Sequence, residues 1–382
     1  MIPRQQLTST FRRFFESESH GAVLLIGCTA LSLVAANSAI GPTYTAFWQS
    51  RLAGLTVEHW INDALMALFF LLVGLELERE LYVGELSDGR TALLPILAAL
   101  GGIGVPAGIH YALNAGSATQ AGMGIPMATD IAFALGALAL LGSRVPASLK
   151  VFLAALAVMD DLAAIVVIAV FYTATVSYAY LAAAAAVFSA LVALNRLKVM
   201  SLIPYLVGGA LMWVLMLGSG VHATITGVLL AFAIPFGRRD DVEHSPSHRL
   251  EHFLQRPVAL VILPLFALAN TGIAFSGDAV GQFASANSMG IIGGLLLGKP
   301  IGITALAALG VALGVCRLPS DVGWGQVFGV GLLAGIGFTM SIFIANLAFT
   351  GDAQLINSSK AAILAASFAA GLCGLAWLRI RL

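Results

Sequence analysis

Apolar segments long enough to cross a lipid bilayer recur along this 382-residue chain. Hydrophobic residues make up 59% of the chain and charged residues only 10%, whereas about a quarter of the residues in soluble domains are charged. A helical span needs roughly 20 apolar residues, and a helix satisfies its own backbone hydrogen bonds inside the bilayer. The chain is therefore predicted to be an all-α polytopic membrane protein.

Twelve apolar runs can be counted, and two of them are short. They lie near residues 20–37, 58–77, 92–113, 121–141, 150–172, 178–195, 200–217, 221–236, 256–274, 289–314, 326–349 and 357–378. If odd-numbered helices start inside, 16 of the 19 Lys and Arg residues fall in inside segments. Positive residues concentrate on the cytoplasmic side of membrane proteins, so both termini are predicted to be cytoplasmic. The first run is interpreted as a retained helix and not as a signal peptide.

Charge and cysteine content narrow the classes of function. The formal net charge is zero, so no nucleic-acid partner is indicated. Cys28, Cys316 and Cys373 lie far apart and match no metal-binding spacing. Neither feature indicates a metal centre or a cofactor, and the lipid bilayer is the expected surrounding of the chain.

Two groups of three helices are predicted to form an inverted-topology repeat. Helices 3–5 (residues 92–172) begin inside and helices 10–12 (residues 289–378) begin outside. The middle helix of each group, helix 4 or helix 11, contains helix breakers with polar neighbours: Pro126, Thr129 and Asp130 in the first, and Gly335, Gly337 and Thr339 in the second. Discontinuous helices at corresponding positions of two repeats mark the binding site of many transporters, near the bilayer midplane.

The remaining helices, within residues 20–77 and 178–274, are predicted to form a scaffold and a dimer interface. Residues 42–57 make up the longest outer loop, and their apolar and polar residues alternate enough for a short hairpin. An unpaired strand edge can pair with a second copy of the chain. We therefore expect a homodimer formed through this outer hairpin.

Four ionisable residues lie deep within the predicted spans: Asp130, Asp160, Asp161 and Lys299. A charge at this depth costs several kcal/mol and usually marks a functional site. Adjacent residues on a helix point about 100° apart, so Asp160 and Asp161 face different surroundings. Lys299 is the natural partner of one aspartate, and the other must be protonated or bind a cation that comes and goes.

This arrangement favours exchange of a hard cation, Na⁺ or Li⁺, for protons. Such cations prefer carboxylate and carbonyl oxygens, and Thr129 with the freed carbonyls of the broken helices could add ligands. A cation channel remains an alternative, although no repeated filter motif is visible. An intramembrane aspartyl protease needs two aspartates that face each other from different helices, which only Asp130 and Asp161 could provide.

Several stretches together resemble the NhaA-type Na⁺/H⁺ antiporters. They are WINDALMALFFLLVGLELERE, ATDIAFALGALALLGSRVP, FLAALAVMDDLAAIVVIAVFYT, SGVHAT, RLEH, ILPLFALANTG, LLLGKPIGI and GIGFTMSIFIANLAF. The resemblance covers nearly the whole chain. It implies a bacterial inner-membrane protein with twelve helices, of which the fourth and eleventh are unwound and cross. It also implies electrogenic, pH-regulated export of Na⁺ or Li⁺ for H⁺ by alternating access.

The resemblance also implies roles for particular residues. Asp161 would carry the cation and protons, and Asp160 would join it, ion-paired to Lys299 in the inward-facing, low-pH state. Thr129 and Asp130 would lie at the helix crossing, where Asp130 would offset the positive ends of two half-helices. The pH response would involve a cytoplasmic funnel and one further histidine, His222. The funnel residues would be Glu76, Glu80, Glu251 and His252.

Two questions stay open at this stage. The protons are carried either by both aspartates of the doublet or by Asp161 together with Lys299, because coupled groups titrate as a set. Glu76 and Glu80 are also consistent with ordinary solvated carboxylates at the end of a helix.

Overall fold

A computed structural model of the protein describes residues 21–84, 89–173, 176–237, 245–274 and 283–382. Within these residues the chain is almost entirely helical. The α-helices are α1 (Gly21–Ala36), α2 (Gly41–Gln49), α3 (Val57–Tyr82), α4 (Gly89–Asn114), α5 (Ile131–Ala139), α6 (Ala147–Phe171), α7 (Tyr178–Arg196), α8 (Ile203–Ser219), α9 (Ile225–Ala233), α10 (Pro246–Asn270), α11 (Ala286–Ala312), α12 (Trp324–Ala334), α13 (Phe338–Ala348) and α14 (Ala353–Arg381). A 3₁₀ segment, Ala118–Met127, precedes α5, and strands β1 (Arg51–Leu52) and β2 (Leu55–Thr56) follow α2.

Many of these helices are suited to a bilayer. Seven of those described are long and apolar enough to cross a membrane, and the number rises to ten if each of three bent pairs forms one span. The bent pairs are α1 with α2 (114°), the 3₁₀ segment with α5 (40°), and α12 with α13 (48°). The prediction of an all-α membrane protein is confirmed. The count of twelve spans and the inverted repeat stay predictions.

The chain divides into two compact units. The described residues of the first unit lie within 1–44, 88–164 and 270–382, and those of the second within 45–87 and 165–269. Both helix breaks and all four deep charges therefore belong to the first unit. The predicted division into core and scaffold helices stays a prediction, and residues up to 44 pack with the first unit. One reason is the Asn37 amide, which donates to the Ile273 carbonyl over 2.7 Å.

In the first unit, α4 and α11 cross at two glycines. A Cβ atom at Gly101 would come within 2.0 Å of the Gly302 carbonyl oxygen, and one at Gly302 within 2.1 Å of the Gly101 carbonyl oxygen. Small residues of this kind let helix backbones approach closely in membranes. The crossing brings the Lys299 side chain against α4, where its Cδ lies 3.7 Å from the Cβ position of Gly102. A π-helical turn, Gly294–Gly298, directly precedes Lys299.

The second unit contains the outer hairpin, which is shorter than the sequence predicted. Residues 42–49 of the predicted hairpin belong to α2, and Pro42 in the first turn of a helix is well tolerated because its missing N–H would be unpaired there. The paired strands are confined to Arg51–Leu52 and Leu55–Thr56, joined at Ala53 and Gly54, whose φ angles are 50° and 91°. Two positive φ angles in a two-residue turn suit the twist of an antiparallel hairpin.

Candidate functional site

The two helix breaks of the first unit are joined by hydrogen bonds. The backbone N–H of Asp130, at the first break, donates to the Ile336 carbonyl of the second break over 2.7 Å. The Thr129 hydroxyl lies 2.9 Å from the Ala334 carbonyl, at the end of α12. A broken helix frees such groups, and buried backbone groups need partners. Each break therefore supplies partners for the other.

Asp130 caps the helical pieces that follow both breaks. Its Oδ1 accepts from the Phe133 amide, in the first turn of α5, over 3.1 Å. Its Oδ2 accepts from the Thr339 amide over 3.2 Å and from the Thr339 hydroxyl over 2.5 Å, in the first turn of α13. A carboxylate is favourable at a helix N-terminus because unpaired N–H groups give that end a partial positive charge. One buried carboxylate thus serves two helix ends.

Beside this crossing lies a buried ion pair. The Lys299 ammonium donates to Asp160 Oδ2 and, over 2.9 Å, to the Thr129 hydroxyl. The Thr129 hydroxyl in turn lies 2.6 Å from Asp160 Oδ2. None of the three residues is more than 1% exposed. Thr129 therefore connects the ion pair to the second break, since its oxygen is also close to the Ala334 carbonyl.

Asp161 follows Asp160 on α6 and is equally buried, with 1% of its surface exposed. It lies close enough to Lys299 to interact with the ammonium electrostatically. In the described part of the chain, Asp160 Oδ1 accepts no hydrogen bond. A buried carboxylate oxygen in that state is costly, and a proton or a cation would satisfy it.

The oxygen atoms at this place are those that Na⁺ and Li⁺ prefer. Carboxylates, a hydroxyl and carbonyls of unwound backbone come together within the first unit. Among the described residues, no group of three or more His, Cys, Asp or Glu side chains is placed to hold a metal ion. A cation held at this site would therefore need hydroxyl or carbonyl ligands besides its carboxylates.

The predicted helix breakers lie where close approach requires them. A Cβ atom at Gly335 would come within 2.4 Å of the Leu295 carbonyl oxygen, and one at Gly337 within 2.2 Å of Ser341 Oγ. Pro126 packs on α11, where its Cβ is 2.6 Å from the Cβ position of Gly294. Both breaks therefore pack closely against α11, at Gly335 in the second break and at Pro126 just before the first.

The residues of the predicted pH-sensing set lie in the second unit. Glu76 and Glu251 are buried, with 8% and 3% exposed, and Glu80 is partly buried. Arg79 joins two of them: its Nε donates to Glu251 Oε1 over 2.9 Å, and its guanidinium lies 2.9 Å from Glu80 Oε1. The burial of Glu76 contradicts the alternative of an ordinary solvated carboxylate there.

The two predicted histidines are placed differently from this cluster. His252 is exposed on α10. His222 precedes α9, and its Nε2 lies 2.8 Å from the Tyr172 carbonyl oxygen. That contact requires a proton on Nε2, because a carbonyl oxygen only accepts.

Several members of the acidic cluster are not among the site residues predicted from the sequence. Arg79 is the cation that joins Glu80 to Glu251, and His248 Nδ1 lies 3.6 Å from Glu251 Oε2. Glu78 is 4% exposed and accepts from the Ser247 hydroxyl over 2.9 Å. The stretch LELERE, with three carboxylates around one arginine, is the sequence signal that could have identified them.

Comparison with known proteins gives a consistent result. A family model described as Na⁺/H⁺ antiporter 1 matches residues 12–378. A Na(+)/H(+) antiporter NhaA of Dechloromonas aromatica (strain RCB) is 67% identical over 374 residues, which cover 98% of this chain and 96% of that protein. Proteins of the same name from Flavobacterium psychrophilum and Mesorhizobium japonicum are 57% and 50% identical over 369 and 378 residues, covering 97% and 98% of this chain and 95% of each relative.

The double cap predicts a stability effect for Asp130. Asp130→Ala removes the acceptor of two buried helix N-termini, and at roughly 0.5–2 kcal/mol for each cap we expect a loss of about 1–4 kcal/mol. Asp130→Asn keeps a side-chain acceptor and should lose less. The measurement is the thermal unfolding temperature in detergent.

Asp352→Ala is the matched control for this prediction. Asp352 also caps a helix, accepting from the Gln354 and Leu355 amides at the start of α14, but it is exposed, so water can replace its oxygen. An equal fall in unfolding temperature for Asp130→Ala and Asp352→Ala would contradict the proposed double cap.

Proposed function

The chain belongs to the Na⁺/H⁺ antiporter 1 family, and on this premise we propose that it exports Na⁺ or Li⁺ in exchange for protons across a bacterial inner membrane. The observation that carries the proposal is the Asp160–Lys299 pair, buried at the meeting point of two broken helices with Asp161 beside it. A static ion pair would need only one carboxylate. The second buried carboxylate, in a family of antiporters, is the natural carrier of an exchanged ion.

Competition for Asp160 links cation binding to proton release. Lys299 and Na⁺ are both cations, and Asp160 can neutralise only one of them at a time. When Na⁺ enters from the cytoplasm, it takes carboxylate oxygens from Asp160 and Asp161, and protons leave the cluster. On the other side of the membrane, protons displace Na⁺ and the Lys299 pair forms again. The site is exposed alternately to the two sides as the repeat-containing helices move.

The number of titratable groups supports electrogenic exchange. At least two of Asp160, Asp161 and Lys299 change protonation in this cycle, so more than one proton enters for each cation exported. The membrane potential then helps to drive export. The second proton is carried either by Asp160 or by Lys299, because the three groups titrate as a coupled set.

The acidic cluster of the second unit is the proposed pH sensor. Glu80 and Glu251 pair with Arg79, and Glu76 lies three residues before it on α3. We propose that this cluster lies on the cytoplasmic side, as both termini do. The Arg79–Glu251 pair joins α3 to α10, so a change in the charge of the cluster would alter the packing of these two helices. Activity would respond to cytoplasmic pH in this way.

The first test measures coupled transport directly. In inside-out vesicles that hold a pH gradient, added Na⁺ should collapse the gradient, scanned across about pH 6.5 to 8.5, where histidine and perturbed carboxyl groups titrate. Asp161→Asn should abolish the collapse because it removes the proposed ion carrier. Asp352→Asn, which alters an exposed carboxylate, should have no effect.

Two results of this assay would count against the mechanism. Full Na⁺-coupled activity in Asp161→Asn would exclude Asp161 as the carrier. Na⁺ flux without coupled proton movement in the unmodified protein would favour a channel over an antiporter.

The second test concerns the role of Lys299. Lys299→Ala removes the cation that pairs with Asp160. Two quantities are measured for this variant: the Na⁺-driven proton flux and the electrical current that accompanies transport across the membrane. If Lys299 carries the second proton, exchange should continue while current disappears. Persistent current would instead assign the second proton to Asp160 and a structural role to Lys299.

We further propose that the protein forms a homodimer through the outer hairpin. Leu52, in β1, is 62% exposed, and the two-stranded ribbon leaves strand edges that can pair with a second copy. Deletion of residues 51–56 should shift the protein from dimer to monomer in detergent, as measured by light scattering. A deletion variant that stays fully dimeric would contradict this interface.

A further inference from the structure

The two helix breaks free backbone groups that a continuous helix would pair. The chain is extended at Ala128, with φ −78° and ψ 151°, so the helical hydrogen bonding of the 3₁₀ segment ends at this residue. At the second break, the Ala334 carbonyl lies beside the Thr129 hydroxyl and not beside the Phe338 amide. The Phe338 amide and a lone pair of the Ile125 carbonyl can therefore bond to side chains of other segments.

The partner of the Ile125 carbonyl is Ser341, which belongs to the other broken helix. The Ser341 hydroxyl donates to this carbonyl over 2.7 Å, and Ser341 is completely buried in α13. Gly337 makes room for the hydroxyl, since a Cβ atom there would come within 2.2 Å of Ser341 Oγ. This bond ties α13 to the backbone just before the first break.

The partner of the Phe338 amide is Ser367, on α14. Ser367 Oγ accepts from this amide over 3.2 Å, and the residue is 6% exposed. The neighbouring amide, that of Thr339, donates to Asp130. The start of α13 is therefore held from two directions, by a carboxylate of the first break and by a hydroxyl of the last helix.

We propose that Ser341 and Ser367 are positioning residues for the ion site and that they set its affinity for the transported cation. Their hydrogen bonds fix the two unwound segments against each other, which keeps Thr129 against Ala334 and Asp130 against Ile336 and Thr339. The inference rests on the proposed Na⁺/H⁺ exchange. Serine hydroxyls do not titrate in the working range, so the pair acts on affinity and not on the number of protons carried.

The test compares Ser341→Ala and Ser367→Ala with Ser358→Ala. Ser358 is the matched control because its hydroxyl, on the same helix as Ser367, donates to Leu355 within α14 over 3.0 Å. Hydrogen–deuterium exchange of residues 124–130 and 334–341 is measured by mass spectrometry in detergent. Both alanine variants should exchange faster there than wild type, and the control should not.

Transport in proteoliposomes provides the second measurement. We expect KM for Na⁺ to rise about fivefold in each alanine variant. This change corresponds to a loss of about 1 kcal/mol of binding free energy, because a tenfold change corresponds to about 1.4 kcal/mol. Maximal rate, proton coupling and the shape of the pH profile should stay those of wild type. Ser367→Thr retains the hydroxyl and should keep the wild-type KM.

The outcomes separate this inference from the proposed function. Wild-type hydrogen exchange in both alanine variants, or faster exchange with unchanged KM, would overturn the positioning role. If one alanine variant does not fold, the other decides by the same criteria. If the unmodified protein moves no protons in response to Na⁺, the proposed function fails. The hydrogen–deuterium exchange measurements would still decide whether the two serines hold the helix breaks together.

Discussion

Inside a bilayer, every backbone amide and carbonyl must have a hydrogen-bond partner, and the geometry of the first unit follows from this requirement. Two helices are interrupted, and the groups freed at each break bond to the other break or to side chains around it. The Asp130 amide on the Ile336 carbonyl and the Asp130 carboxylate on two helix N-termini are the central contacts. Removing either break would take away some of the partners of the other, such as the Ile336 carbonyl that accepts from the Asp130 amide.

The charges at the site depend on the same crossing. Thr129 belongs to the first break, yet its hydroxyl is bonded within the Asp160–Lys299 pair and lies near the Ala334 carbonyl of the second break. A change in the ion pair therefore reaches both breaks through one hydroxyl group. The close crossing of α4 and α11 at Gly101 and Gly302 holds Lys299 at this place, because bulkier residues would separate the helices.

The acidic cluster around Arg79 follows a different physical principle. Carboxylates of α3 and α10 share one guanidinium, and most of them are buried, so the charge balance of the group depends on every member. Sequence reasoning identified the carboxylates from their resemblance to a family pattern but not the arginine that joins them. The pairing of this arginine with Glu251 is hard to recognise from sequence because the two residues lie 172 positions apart in the chain.

The sequence by itself determined the class of protein and predicted where a candidate ion site lies. Apolar run length requires helices in a bilayer, and four ionisable residues within those runs indicated an ion site. The tertiary structure decided which groups meet: that Lys299 pairs with Asp160 through Thr129, that Asp130 serves both half-helices, and that Ser341 and Ser367 complete the breaks. It also limited the outer hairpin to six residues, 51–56. Helical periodicity specifies the face of a helix but not its neighbour, so contacts between distant segments depend on close packing that only the folded chain defines.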